Sequence, residues 1–200
     1  MHVFKRVTWV KDLAEALPSI VFIALWRGGV GLEAAGWIAA LLSAMVLFLH
    51  QVSQTRSNPL FLGINIHLLL VTPVIVGIHS LGMHEVGRFL ETNSYNGVFV
   101  TILATGGLLT LFSPRGFIGL ESRQSHLPYS LILLAASAIA AAWSFAFAGP
   151  GVLSVALPAT GLFILRRVLI AHAKGASGLL GLAVAPVAGG MTAAWLSDGS

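Results

Sequence analysis

Seven long apolar segments, separated by short polar or charged connections, run along the 200-residue chain. An α-helix needs about 20 mostly apolar residues to cross a bilayer. The connections are too short to form a separate domain. The pattern therefore predicts a single all-α domain over residues 1–200, a polytopic bundle of about seven transmembrane helices. The predicted spans are 13–31, 34–50, 60–82, 94–113, 127–148, 151–171 and 178–196.

The first span, Leu13–Gly31, is the weakest, because its mostly apolar part runs only from Ala16 to Trp26. The distribution of basic residues nevertheless supports it. With seven spans, nine of the 11 Lys and Arg residues lie on one side, and only Arg27 and Arg88 lie on the other. Cytoplasmic connections carry the excess of Lys and Arg. We therefore predict a cytoplasmic N-terminus, an external C-terminus and a bacterial inner (plasma) membrane location.

Composition agrees with this class. Hydrophobic residues make up 56% of the chain and charged residues 9%, whereas soluble domains average about 25% charged residues. This excludes a water-soluble domain, a disordered chain and a nucleic-acid-binding protein. The predicted partner is the lipid bilayer. The chain has no cysteine, so disulfides and thiol nucleophiles are excluded as well.

Acidic residues and lysines avoid the interiors of the predicted spans. All seven carboxylates fall in connections or near span ends. This argues against a carboxylate proton relay and against an intramembrane aspartyl protease. No lysine lies within a span, which excludes a retinal protein with a Schiff base. The sequence thus predicts no catalytic residue.

The third and fourth spans carry the polar residues of greatest interest. His67 lies about 10 Å in from the cytoplasmic end, and an ionisable group at that depth is a candidate functional residue. It is equally a candidate for a neutral histidine that bonds a neighbouring helix. The other polar side chains line a solute path or join the two helices, and the sequence favours neither. The candidate binding residues are His67, Asn65, Thr72, His79, Thr101 and Thr105.

Histidines also suggest weaker alternatives. His79, Met83 and His84 form a local group with ligand types that suit a soft metal. Haem would need two histidines at similar depth, and His50 lies about 10 Å shallower than His67. We expect no resident cofactor, with haem or a metal as the alternative.

Small residues and arginines suggest packing surfaces. The fifth span is rich in Ala, and the seventh repeats Gly and Ala at a spacing of four. Such faces let helices approach closely, within the bundle or in contact with a second copy or another membrane protein. Arg166 and Arg167 are predicted to extend toward the cytoplasmic headgroups as lipid anchors.

The stretch Leu17–Arg27, followed by a Gly-rich turn and an Ala/Leu-rich second helix, resembles the intracellular septation protein A family. The resemblance covers the first two helices. It implies a small polytopic inner-membrane protein with a role in cell-envelope upkeep and no assigned reaction.

Three functions follow from these observations. The first is a small-solute or ion transporter or channel, with a polar path along the third and fourth helices. The second is a non-catalytic envelope scaffold or interaction protein. The third is a histidine-dependent haem or metal protein of the membrane.

Overall fold

The computed structural model describes residues 3–54, 57–120, 126–147 and 153–173. Every regular element among these residues is an α-helix, which confirms the predicted all-α class. The helices are α1 (Val3–Arg27), α2 (Leu32–Ser53), α3 (Pro59–Ser80), α4 (His84–Phe112), α5 (His126–Ala146) and α6 (Leu153–Ala173).

Five of these helices, α2 to α6, are long and apolar enough to cross a membrane. A helix of 22 residues, such as α2, is about 33 Å long, which matches the hydrocarbon thickness of a bilayer. The chain therefore has the character of a multi-pass membrane protein. The predicted seventh span, 178–196, lies outside the described residues.

The largest differences from the predicted spans lie at the ends of α1 and α4. Helix α1 begins at Val3, ahead of the predicted start at Leu13. The first span was expected to continue to Gly31, but α1 ends at Arg27, where Gly28 and Gly29 follow and Gly29 adopts a φ of 86°. The fourth was expected to begin at Ser94, but α4 begins at His84. Apolar character marks the part of a helix that suits lipid. It does not mark the polar turns that continue the helix beyond it.

Local sequence explains the start of α3 and the end of α2. Asn58 precedes the helix, and its side chain accepts a hydrogen bond from Leu60 N at 3.2 Å. Pro59 occupies the first helical turn, where its missing N–H costs nothing. Gln54 ends α2 in the left-handed conformation, with a φ of 48°. The connection between α2 and α3 is therefore short and well defined at both ends.

Consecutive helices pack against each other, and α3 also contacts α1. Residues 113–120, which follow α4, fold inward, since Phe117 and Ile118 are fully buried. These two side chains join the apolar core formed by residues such as Leu60, Phe99 and Ile102. Ile118 N donates to Ser130 Oγ at 3.2 Å, which anchors this segment to α5.

Small residues allow α3 to approach both of its neighbours. A Cβ on Gly36 of α2 would collide with Thr72 Oγ1, and a Cβ on Gly63 would lie 2.9 Å from the Ile102 Cα of α4. The face of α5 that is buried in the bundle is also built mainly from small residues. Its members are His126, Ser130, Leu133, Ser137, Ala140 and Ser144. In lipid, van der Waals contact at such interfaces is a main source of helix association.

We expect Gly63→Ala to lower the free energy of unfolding by about 1–3 kcal/mol, because the added methyl group forces α3 away from the α4 backbone. Gly77→Ala is the matched control on the same helix, since a Cβ there has no neighbour within 4 Å. It should be neutral or slightly stabilising, because alanine favours a helix by up to about 1 kcal/mol. Thermal unfolding of both purified variants measures the difference. Equal stability would contradict the close approach.

Candidate functional site

A cavity of about 970 Å³ lies at one end of the bundle. Its volume is at the upper end of the range of small-molecule sites, roughly 300–1,000 Å³. The first half of α1, the last turns of α2 and α4, the start of α3 and the middle of α6 surround it together with the segment after α4. The cavity therefore lies where five of the six described helices meet.

Charged side chains dominate its polar wall. Four permanently basic residues face two carboxylates, so the wall carries excess positive charge. The basic residues are Lys11, Arg115, Arg166 and Arg167, and the acidic ones are Asp12 and Glu15. His50 and Gln51 complete the polar lining from α2.

Glu15 is the buried anion of this wall, with only 2% of its surface exposed. Its Oε1 lies 2.9 Å from His50 Nε2 and 3.8 Å from Lys11 Nζ. Its Oε2 accepts a hydrogen bond of 3.0 Å from Asn58 N. Groups from α1, α2 and the start of α3 thus all contact one carboxylate.

Asn65 strengthens the same junction one turn deeper. Its Nδ2 lies 3.0 Å from both the Glu15 and the Phe61 carbonyl oxygens, and its Oδ1 accepts from Ser43 Oγ at 3.3 Å. The buried amide therefore joins α3 to α1 and α2. We predicted Asn65 as a ligand-binding residue, and the structure places it among these three helices.

Arg166 lies in the cavity wall, where its guanidinium experiences the fields of Asp12 and Glu15. Its Nε is enclosed and has no hydrogen-bond partner among the described residues. A buried N–H without a partner is costly. Arg166 lines the cavity, and its predicted role as a lipid anchor stays a prediction. The more exposed Arg167 also borders the cavity.

His67 lies apart from this cavity, between α3 and α4. Its Nε2 is 2.8 Å from Ser94 O and its Nδ1 is 3.1 Å from Thr101 Oγ1. A neutral histidine that donates through Nε2 satisfies both contacts. The geometry matches the helix-joining alternative, and the proposed role in ligand binding stays a prediction.

The remaining candidates of the polar stripe divide between interfaces. Thr72 faces Gly36 of α2, and Thr105 is buried within α4. His79 lies at the opposite end of α3, where it contacts His84. The structure therefore brings Asn65 and Thr72 to the α2 side and His67 with Thr101 to the α4 side. It does not gather the six candidates into one group.

The predicted soft-metal group is also only partly assembled. His79 Nδ1 lies 3.3 Å from His84 Nδ1, and His79 Nε2 lies 4.0 Å from Glu91 Oε1. Met83 is 51% exposed. Within the described residues no group of three His, Cys, Asp or Glu side chains is placed to hold a metal ion.

For haem, the two histidines considered from the sequence have other contacts. His50 faces Glu15 and Val46 O, and His67 faces Ser94 O and Thr101. Both ring nitrogens of each residue therefore already have a protein partner.

Sequence reasoning missed the contact between Glu15 and His50. Glu15 was interpreted only as a residue near a span end, and His50 only as a residue at the cytoplasmic surface. A signal was present, since Lys11 and Glu15 are four residues apart and share one face of α1. Nothing in the sequence, however, indicates that α2 ends beside that face.

No protein-family model, curated protein or solved structure matches this chain. The resemblance to the septation protein A family therefore stays a prediction. The conclusions below rest on the geometry of the chain itself.

We expect Asn65→Leu to lower the free energy of unfolding by about 1–3 kcal/mol, because it leaves the Glu15 carbonyl and the Ser43 hydroxyl without their partner. Asn93→Leu is the control, since the Asn93 side chain bonds only Phe89 O within its own helix. Thermal unfolding in detergent compares the two variants. A loss of similar size in both would show that Asn65 does not join the helices.

Proposed function

We propose that this protein is a multi-pass membrane transporter of a small anionic solute, with its solute-binding site in the cavity described above. The observation that carries the proposal is a cavity wall in which four basic residues, Arg166 among them, outnumber two carboxylates. Charge-assisted bonds from arginine to an oxyanion are among the strongest polar contacts in proteins. An oxyanion is therefore the ligand that this wall suits.

The proposed topology has seven spans, with α1 to α6 as the first six and residues 178–196 as the seventh. The cavity lies on the cytoplasmic side, because Lys11, Arg115, Arg166 and Arg167 border it together and cytoplasmic ends carry the basic residues. Arg27 and Arg88 lie at the helix ends that this topology places outside. The proposed location is the bacterial inner membrane.

The anion is proposed to be a free solute, although a lipid headgroup offers the same oxygen chemistry. The cavity is lined from five helices and includes backbone at Gly116 and Gly119, which suits an enclosed small ligand. The polar groups between α3 and α4, including His67 and Thr101, are the proposed continuation of the route. His67 and Thr101 bond each other in this conformation. Passage of the anion along this route therefore requires that bond to be replaced by contacts with the anion.

We expect Arg166→Gln to weaken binding of inorganic sulfate by about tenfold or more, because one charge-assisted contact contributes roughly 1.5–3 kcal/mol. Sulfate serves as the probe because it stays doubly charged over the working pH range. Arg88→Gln, at an exposed position on α4, is the matched control and should bind like the wild type. Calorimetry in phosphatidylcholine nanodiscs measures binding, and sulfate uptake into liposomes measures transport.

The lipid composition of the nanodiscs identifies the source of the anion. If phosphatidylglycerol at moderate content abolishes sulfate binding, the cavity is a headgroup site and the transport proposal fails. If sulfate neither binds nor enters liposomes in phosphatidylcholine, the proposal fails as well, and the scaffold alternative takes its place.

A further inference from the structure

The hydrogen-bonding roles of His50 determine how many protons it shares with Glu15. His50 Nδ1 lies 2.8 Å from the Val46 carbonyl oxygen, which only accepts, so Nδ1 carries a hydrogen. His50 Nε2 lies 2.9 Å from Glu15 Oε1. Oε1 accepts no hydrogen bond among the described residues, so this contact is an ion pair by its distance. A carboxylate that close to an unprotonated ring nitrogen would be repelled in a buried site. The contact therefore favours a pair that holds one proton beyond a neutral imidazole and a carboxylate.

Loss of that proton would leave two lone pairs facing each other in a buried site. Glu15 would remain attached to Asn58 N of the α3 start, and the contact with α2 would become repulsive. The protonated pair thus holds α1 against the end of α2, and proton release loosens this junction at the wall of the cavity.

We propose that Glu15 and His50 form a proton-binding site that couples proton uptake to anion binding in the same cavity. This coupling rests on the proposed function, because its ligand is the anion proposed to bind in the cavity. The step is a simple proton transfer from water to the pair, with no change of oxidation state and no bond made to the anion. Proton and anion then enter the site together, which makes the transporter a proton–anion symporter.

The sign of the coupling follows from charge. Proton uptake changes the charge of the pair from −1 to 0, so an anion in the cavity is repelled less after protonation. By linkage, the anion must raise the proton affinity of the pair by the same factor by which protonation raises the affinity for the anion. The Glu15–His50 pair is therefore the part of the cavity wall whose charge changes when a proton binds.

The surrounding groups leave this sign unchanged. The charged groups that line the same cavity as the pair are Lys11 and Asp12 on α1, Arg115 after α4, and Arg166 and Arg167 on α6. The α3 start and α2 contribute neutral groups, the Asn58 amide and Gln51. The cations stabilise the charged carboxylate of Glu15 and therefore oppose protonation of the pair. A bound anion offsets the field of these cations.

The first experiment tests the proton site without any ligand. A group that binds its proton more tightly in the folded state loses its stabilising effect as pH rises. We expect the thermal-unfolding midpoint of the wild type to fall as the pH rises through the range in which the pair releases its proton. Glu15→Gln should remove this part of the pH dependence, because its amide N–H donates to Nε2 without an added proton. Glu33→Gln, at an exposed site on α2, should retain it.

If the unfolding midpoint of Glu15→Gln depends on pH in the same way as that of the wild type, the proton site is overturned. This holds whatever ligand the protein binds. His50→Gln provides a second variant, since its amide N–H can donate to the Glu15 carboxylate without a shared proton. It should flatten the profile in the same way even if Glu15→Gln does not fold.

The second experiment tests the coupling. Calorimetric titration of the full chain with sulfate, in two buffers of different ionisation enthalpy, counts the protons taken up on binding. We expect a positive fraction of one proton for the wild type and none for Glu15→Gln, which should bind sulfate more tightly than the wild type because the cavity wall loses a negative charge. Sulfate binding without proton uptake would overturn the coupling and leave the anion site standing. A pH-dependent stability with no sulfate binding would overturn the proposed function and the coupling while retaining the proton site.

Discussion

The burial of the Glu15 carboxylate is the constraint on which the meeting of the first three helices depends. Removing a carboxylate from water costs several kcal/mol unless charges and hydrogen-bond donors replace the lost solvent. Here His50, Lys11 and the Asn58 amide supply that replacement from α2, α1 and the start of α3. The end of α2 and the start of α3 must therefore lie beside the first half of α1.

Away from this junction the helices are held by close contact and by a small number of buried polar bonds. Gly36 and Gly63 bring α3 close to α2 and α4. Ser144 Oγ donates to Asn96 Oδ1 at 2.6 Å and joins α5 to α4. In an apolar environment, hydrophobic burial gives little preference for one neighbour over another. Shape and these few polar bonds then specify which helices pair.

The same junction that organises the helices also forms the wall of the cavity. In the proposed function, the cations of that wall attract an anion and the Glu15–His50 pair is the proton-binding site. A structural contact and a proposed functional site thus share the same atoms. This arrangement gives a direct physical route from ligand charge to helix packing, because whatever changes the proton on the pair also changes how α1 meets α2.

The sequence by itself determined the class of protein, the helical segments and the polar character of individual positions. Length and apolarity of a segment are local properties, and Asn58 with Pro59 marks a helix start through contacts within a few residues. Tertiary structure decided which polar groups meet. His67 and Thr101 were each recognisable as candidate binding residues, but their mutual bond depends on how α3 and α4 are rotated. Glu15 and His50 meet because α2 ends beside the charged face of α1, and an almost uniformly apolar helix carries no pattern that specifies that rotation or that neighbour.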